Sequence, residues 1–319
     1  MKTLWRPALL FCAIGLALYL ALFAVAEQLL HRRGHSNPMF KIEQLPPGTV
    51  DWVVLGASHA MPLGFPGVNE SLERATGQRL VQLAGPGTGP LYNRWVFEHY
   101  LQSGHRARHL LYVVDSFAFY SRTWNEDRFA DAKLLARTPW RAALAKSLAS
   151  YVAEEGVDPR ALLDYTTGFS KINNRSRFER DAWEGESQFE RSARASSTAT
   201  RKRIAYLYPQ GTPEVVLRRY MDELAQLLEA ARAQGMTLHL LKMPLPTGFR
   251  RQLPDEDSFD AALAALAVRT GAEVQDQSRS VDDAAAYFDS DHLNRTGLAR
   301  FSDAFLVPWL RQHAEPGAR

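Results

Sequence analysis

The chain has 319 residues, 46% of them hydrophobic and 23% charged, enough to enclose a sizeable core. Residues 1–33 hold four of the 38 Lys and Arg (Lys2, Arg6, Arg32, Arg33) and one of the 35 Asp and Glu (Glu27), leaving 34 of each and a neutral remainder. With no basic run interleaved with aromatics, that balance argues against a nucleic-acid platform. The one cysteine, Cys12, excludes disulfides, cysteine metal clusters and a cysteine nucleophile from everything after it.

Residues 1–6 form a short polar start. Residues 7–26 (PALLFCAIGLALYLALFAVA) then carry no charge and nearly match a hydrocarbon core about 30 Å thick, so a transmembrane helix is expected. Ala24-Val25-Ala26 has the small-x-small form cut by signal peptidase, but the run exceeds the usual signal-peptide length, which favours an uncleaved anchor. A lone span before a soluble domain is the usual export arrangement, placing the rest in the periplasm or outside the cell. Residues 27–47 read as a polar linker broken by Pro38, Pro46 and Pro47.

From residue 48 to 313 the chain alternates strands and helices. Val50–Leu55 (VDWVVL) is apolar and β-branched apart from Asp51, and Gly56-Ala57 then allow a tight turn that exposes Ser58. Further strands are predicted at Arg79–Ala84, His109–Val114, Thr237–Leu241 and Glu273–Asp276, with helices over Glu70–Thr76, Leu91–Gln102, Pro213–Gln234, Ser258–Arg269 and Thr296–Gln312. This order predicts an α/β fold, a three-layer sandwich around a mostly parallel five-stranded sheet.

Residues 125–200 break the rhythm and read as a helical and loop insertion. Short helices are expected at Phe129–Arg137, Arg141–Glu154 and Pro159–Asp164, followed by a polar stretch without periodicity. Asn173, Asn174, Arg175, Arg177 and Arg180 would suit a sugar or an anionic carrier, or are ordinary surface. Arg201-Lys202-Arg203 reads as solvated surface, and His239, in mid-strand, as a core or half-buried histidine rather than a catalytic one. The nine histidines match no zinc spacing, so no metal or cofactor is expected, a site assembled from distant residues aside.

In parallel sheets ligands gather beyond the carboxyl ends of the strands. Ser58 follows the first strand, Gly85-Pro86-Gly87-Thr88-Gly89-Pro90 the second and Asp115 the third, while Asp289 and His292 lie beyond the fifth. A serine needs a base within reach and a group to orient that base, and a D-x-x-H spacing supplies both from one turn. Asp291 is the alternative acid. The plainer readings are that Asp289 caps a helix and that Gly85–Gly89 is only a tight turn.

Ser58 after the first strand, the glycine block after the second and DHLNRTG at Asp291–Gly297, with Asp289 ahead of it, resemble the SGNH (GDSL-like) hydrolase superfamily. The N-terminal span and the Gly-x-Ser form are similar to its membrane-anchored or periplasmic branch, which includes alginate and peptidoglycan O-acetyltransferases. The resemblance implies Ser58 as nucleophile, His292 as base and Asp289 as its orienting acid, with the N–H groups of Ser58 and Gly87 in an oxyanion hole. The family's third-block asparagine is missing from VVDSFAF, its donor replaced by Ser116 or supplied from elsewhere. The function so implied is an extracytoplasmic O-acyltransferase or esterase that moves acetyl groups on an envelope or secreted polysaccharide, with a multi-span membrane acyltransferase as partner. A small-ester or lipid hydrolase, and a catalytically silent scaffold of a polysaccharide export complex, are the alternatives.

Overall fold

The computed structural model describes residues 5–33, 37–46, 48–175 and 182–314. By its internal contacts the chain divides into two units, Met1–Lys41 with Phe129–Asp181, and Ile42–Arg128 with Ala182–Arg319.

In the first unit the apolar run forms one helix, Trp5–Arg33, long and apolar enough to cross a membrane. Its outer turns expose Leu9, Leu10 and Phe11. Its second half packs against the helix Phe169–Asn173, which itself packs on Pro159–Thr167, and that in turn on Ala142–Glu154. The Tyr19 hydroxyl donates to the Thr167 carbonyl at 3.0 Å, and Glu27 pairs with buried Lys171 and accepts the Trp140 N–H at 2.8 Å. A charge this buried needs such a counterion. The expected linker is helical instead: the first helix runs on to Arg33, and Pro38–Gln44 forms another. Pro38 sits at its first position, where the missing N–H costs nothing. The polar stretch after Gly168 is also partly helical, at Phe169–Asn173, Glu184–Gln188 and Ser197–Leu207. Arg177 and Arg180 lie outside the described residues.

The second unit is built on β1 (Thr49–Gly56), β2 (Leu80–Gln82), β3 (Arg106–Val113), β4 (Thr237–Lys242) and β5 (Glu273–Asp276), all parallel, in the order β2-β1-β3-β4-β5. One face, carrying Trp52, Val54, Leu111, Val113 and Leu241, packs against Leu72 of the helix Val68–Thr76 and against Phe301, Leu306, Trp309 and Leu310 near the C-terminus. The helices Pro90–Gln102, Glu214–Ala233 and Glu256–Thr270 pack with one another and with the sheet. Full burial of each large apolar side chain contributes about 1.5–3 kcal/mol, which is what holds a cysteine-free unit together. The C-terminal helix is not continuous. A π-helical turn, Ser302–Leu306, separates Arg295–Phe301 from Val307–Gln312, next to Pro308, which has no N–H for the regular ladder.

Candidate active site

Ser58 follows β1 after one residue, Ala57, at the start of a 3-10 turn (Ser58–Gly64), and is buried. Its hydroxyl lies 2.8 Å from Nε2 of His292, and Nδ1 of His292 lies 2.8 Å from Oδ2 of Asp289. The other Asp289 oxygen accepts the backbone N–H groups of Asp291 (3.0 Å) and His292 (2.8 Å), so acid and base are fixed to each other by one turn of chain. Asp289 is not the helix cap. Asn294 fills that role, accepting the Gly297 N–H at 2.9 Å while its amide donates to the carbonyls of Ala285 and Arg191. Gly297 is required here, because a Cβ would come within 2.0 Å of the Ala286 carbonyl. Asp291 is the more distant acid, 3.6 Å from His292 Nδ1.

Phe288 stacks on the His292 ring with 5.3 Å between centroids, and Trp183 meets it edge-on at 5.2 Å. The three sequence-predicted groups open on a cavity of about 340 Å³ whose walls include Gly87, Phe117, Trp124, Arg128, Trp183, Glu184, Gln188, Arg203, Tyr206 and Phe288. Gly87 has φ +63°, and a Cβ there would sit 2.9 Å from the Trp124 ring. The loop is held by Arg128, which donates to the Pro86 carbonyl at 2.9 Å, and by the buried amide of Asn125, which accepts the Leu91 N–H and donates to Ala118 and Ser121.

Behind His292 lies a second set of charges that sequence reasoning left unassembled. His59, next in the chain to Ser58, pairs through Nδ1 with Asp115 and faces Asp291 with Nε2 at 3.5 Å. Arg203 donates to both Asp291 oxygens, at 3.1 and 3.0 Å. Arg203 is therefore not the solvated residue expected, since the wholly buried Asp291 carboxylate needs a cation. Burial opposes charging His59, yet Asp115 and then Asp291 outweigh it and hold the imidazole up to about 10. Burial likewise disfavours the Asp291 anion, but the neighbouring His292, His59 and Arg203 hold its carboxyl well below the usual range. Asp115, at the end of β3, was recognisable from its position on the shared sheet edge. His59 and Arg203 gave no local signal.

His59, Asp291 and His292 also bring ligand-type atoms within 4.8 Å of one another. A charged His59 and the Arg203 guanidinium oppose a metal cation there. Ser116 is not among the residues lining the cavity; its hydroxyl is hydrogen-bonded to Tyr208 and Glu256, both at 2.7 Å. Asn173, Asn174 and Arg175 belong to the first unit, where the Asn173 amide donates to the Phe169 carbonyl at 2.8 Å.

No protein-family description matches this sequence, and no curated protein does. Among solved structures, a "putative acylhydrolase" from Bacteroides fragilis is similar at 9% identity and a TM-score of 0.42, over 86% of this chain and 95% of that one.

Proposed function

We propose that the protein is a serine-dependent acyl-transfer enzyme of the SGNH kind, working through an acyl-Ser58 intermediate. The observation that carries this reading is the hydrogen-bonded line from Ser58 Oγ through His292 to Asp289 at the wall of a cavity. The parallel β2-β1-β3-β4-β5 order is compatible with it. His292 Nε2 takes the Ser58 proton as the hydroxyl attacks the acyl carbonyl, and Asp289 holds Nδ1–H and offsets the imidazolium charge. The proton then passes to the leaving alcohol, and a second alcohol or water, deprotonated by the same nitrogen, releases the acyl group. The N–H groups of Ser58 and Gly87 are the proposed oxyanion donors. With Ser116 bonded to Tyr208 and Glu256, the absent asparagine has no replacement at that position, and one lost donor costs about 10²–10³ in rate. A slow, acceptor-specific transferase tolerates that cost better than a scavenging hydrolase.

The cavity also favours a sugar acceptor over a lipid. Flat aromatic faces (Trp124, Trp183, Tyr206) alternate with hydrogen-bonding groups (Arg128, Glu184, Gln188), where a lipase would need a long apolar groove. With the helix Trp5–Arg33 as anchor, we place the enzyme on the outer face of the cytoplasmic membrane, acetylating an envelope or exported polysaccharide. One span offers no route for an acyl donor across the bilayer, so a multi-span acyltransferase is the proposed partner. The test incubates wild type and Ser58→Ala with a chromogenic acetyl ester, with and without anionic, neutral and amino-sugar oligosaccharides. Ser58-dependent acetyl-sugar is the expected product; acetate alone under every acceptor identifies an esterase, and no Ser58-dependent turnover rejects the enzyme reading.

A further inference from the structure

A second cluster lies on the sheet away from Ser58. The β4–β5 register pairs His239 with Glu273, the first residue of β5, and the C-terminal helix brings His313 over the same face. Glu273 Oε2 stands 3.0 Å from His239 Nδ1 and 3.3 Å from His313 Nε2. The ligand atoms of the three residues all lie within 4.8 Å of one another.

One hydrogen bond beside the cluster fixes the tautomer of His313. Nδ1 of His313 is 2.9 Å from the Trp309 carbonyl, which can only accept, so that nitrogen carries the proton. In a neutral ring, Nε2 then presents a lone pair to the carboxylate. Nε2 of His239 is 3.2 Å from Nδ1 of His109, which leaves Nδ1 of His239 as the nitrogen that faces Glu273. The remaining Glu273 oxygen is held by Gln275 and Trp309.

Two imidazole nitrogens and a carboxylate oxygen thus face one point, within 4.8 Å of one another, an arrangement that a shared cation would hold together. The edge of a tetrahedral zinc site, with bonds of about 2.0–2.1 Å, is about 3.3 Å, close to the two separations seen here. Outer hydrogen bonds that fix each ligand's tautomer are the usual support of such sites.

We propose that His239, Glu273 and His313 bind a divalent transition-metal ion of the zinc class, with a fourth position open to water. The ion clamps the end of the C-terminal helix to β4 and β5. Glu273 and His313 are 39% and 22% exposed at their side chains, which gives the ion its way in.

The experiment uses the untagged full-length protein in detergent, stripped with chelator and titrated with Zn²⁺ by calorimetry and with Co²⁺ by visible absorption. The expected result is one ion per chain, a tetrahedral-type Co²⁺ spectrum, and an unfolding equilibrium shifted about 100-fold toward the native state at 100 times Kd, with no shift from Mg²⁺. His313→Ala and Glu273→Gln change partly exposed side chains and should abolish binding; His109→Ala, which removes a supporting hydrogen bond and a ring stacked on Trp52, should weaken it about 10–100-fold. His292→Ala should leave binding unchanged. No uptake by the stripped wild type, equal affinity in His313→Ala and Glu273→Gln, or loss of the ion in His292→Ala would each overturn the assignment.

Discussion

Two histidines stand side by side with ring centroids 4.6 Å apart, and they are held in opposite ways. His292 has a carboxylate on one nitrogen and a serine hydroxyl on the other. His59 has a carboxylate on both, Asp115 and Asp291, each buried. An imidazole with an acceptor on one side only can take a proton and return it. One clamped between two anions stays a cation and supplies fixed charge. With Arg203 that charge keeps Asp291 ionised, 3.6 Å from His292 Nδ1, where under the proposed mechanism a negative group favours the imidazolium formed as Ser58 attacks.

The comparison is broken most directly by turnover. Ser58→Ala and His292→Ala should each lower kcat on a chromogenic ester by about 10⁴-fold or more, as for groups that act as a unit. His59→Gln should lower it by about 10–100-fold, since it disturbs only the field around the base. Equal losses in folded protein would show that the two rings share the proton chemistry.

Stability should rank the variants the other way. Removing His59 takes the cation from the buried Asp115 carboxylate and leaves Asp291 with Arg203 alone, a change that costs about 3–5 kcal/mol, measured as a lower urea midpoint at unchanged slope. Ser58→Ala removes a single hydrogen bond, worth about 0.5–1.5 kcal/mol.

The smallest effect per step, and the sharpest signature, is the pH dependence. Because His59 is held up to about 10 against an unperturbed value of about 6.5, its contribution is fully present below pH ~6.5 and is lost as pH rises to about 10. The expected slope across that window is about 1.4 kcal/mol per pH unit, and it should vanish in His59→Gln. Asp291, held low, acts in reverse: its contribution is present above the ordinary carboxylate range and is lost in acid.

Much of this arrangement could be read from the chain because it is local. Runs such as VDWVVL and TLHLL are strands wherever they are buried, and Asp289-x-x-His292 needs only one turn to bring acid and base together. Their shared edge followed from strand order. The linker reading failed at Pro38 because a proline that breaks a helix inside it is harmless at its first position. Ser116 was expected near Ser58 by block position, but a buried hydroxyl follows its nearest partners, here Glu256 and Tyr208. His59 and the three charges around it come from four distant stretches, and none is marked except by the burial that makes each require the others.

The turn at Asp289 also sets an order of assembly. Acid and base share one hydrogen-bonded loop, so half the site exists as soon as residues 289–292 close on themselves. The bond from His292 to Ser58 joins positions 234 residues apart and waits for the whole sheet to register. The line from Ser58 to Asp289 is therefore a property of the finished tertiary structure, and a chain arrested with its C-terminal segment undocked would hold the Asp289–His292 pair without its serine.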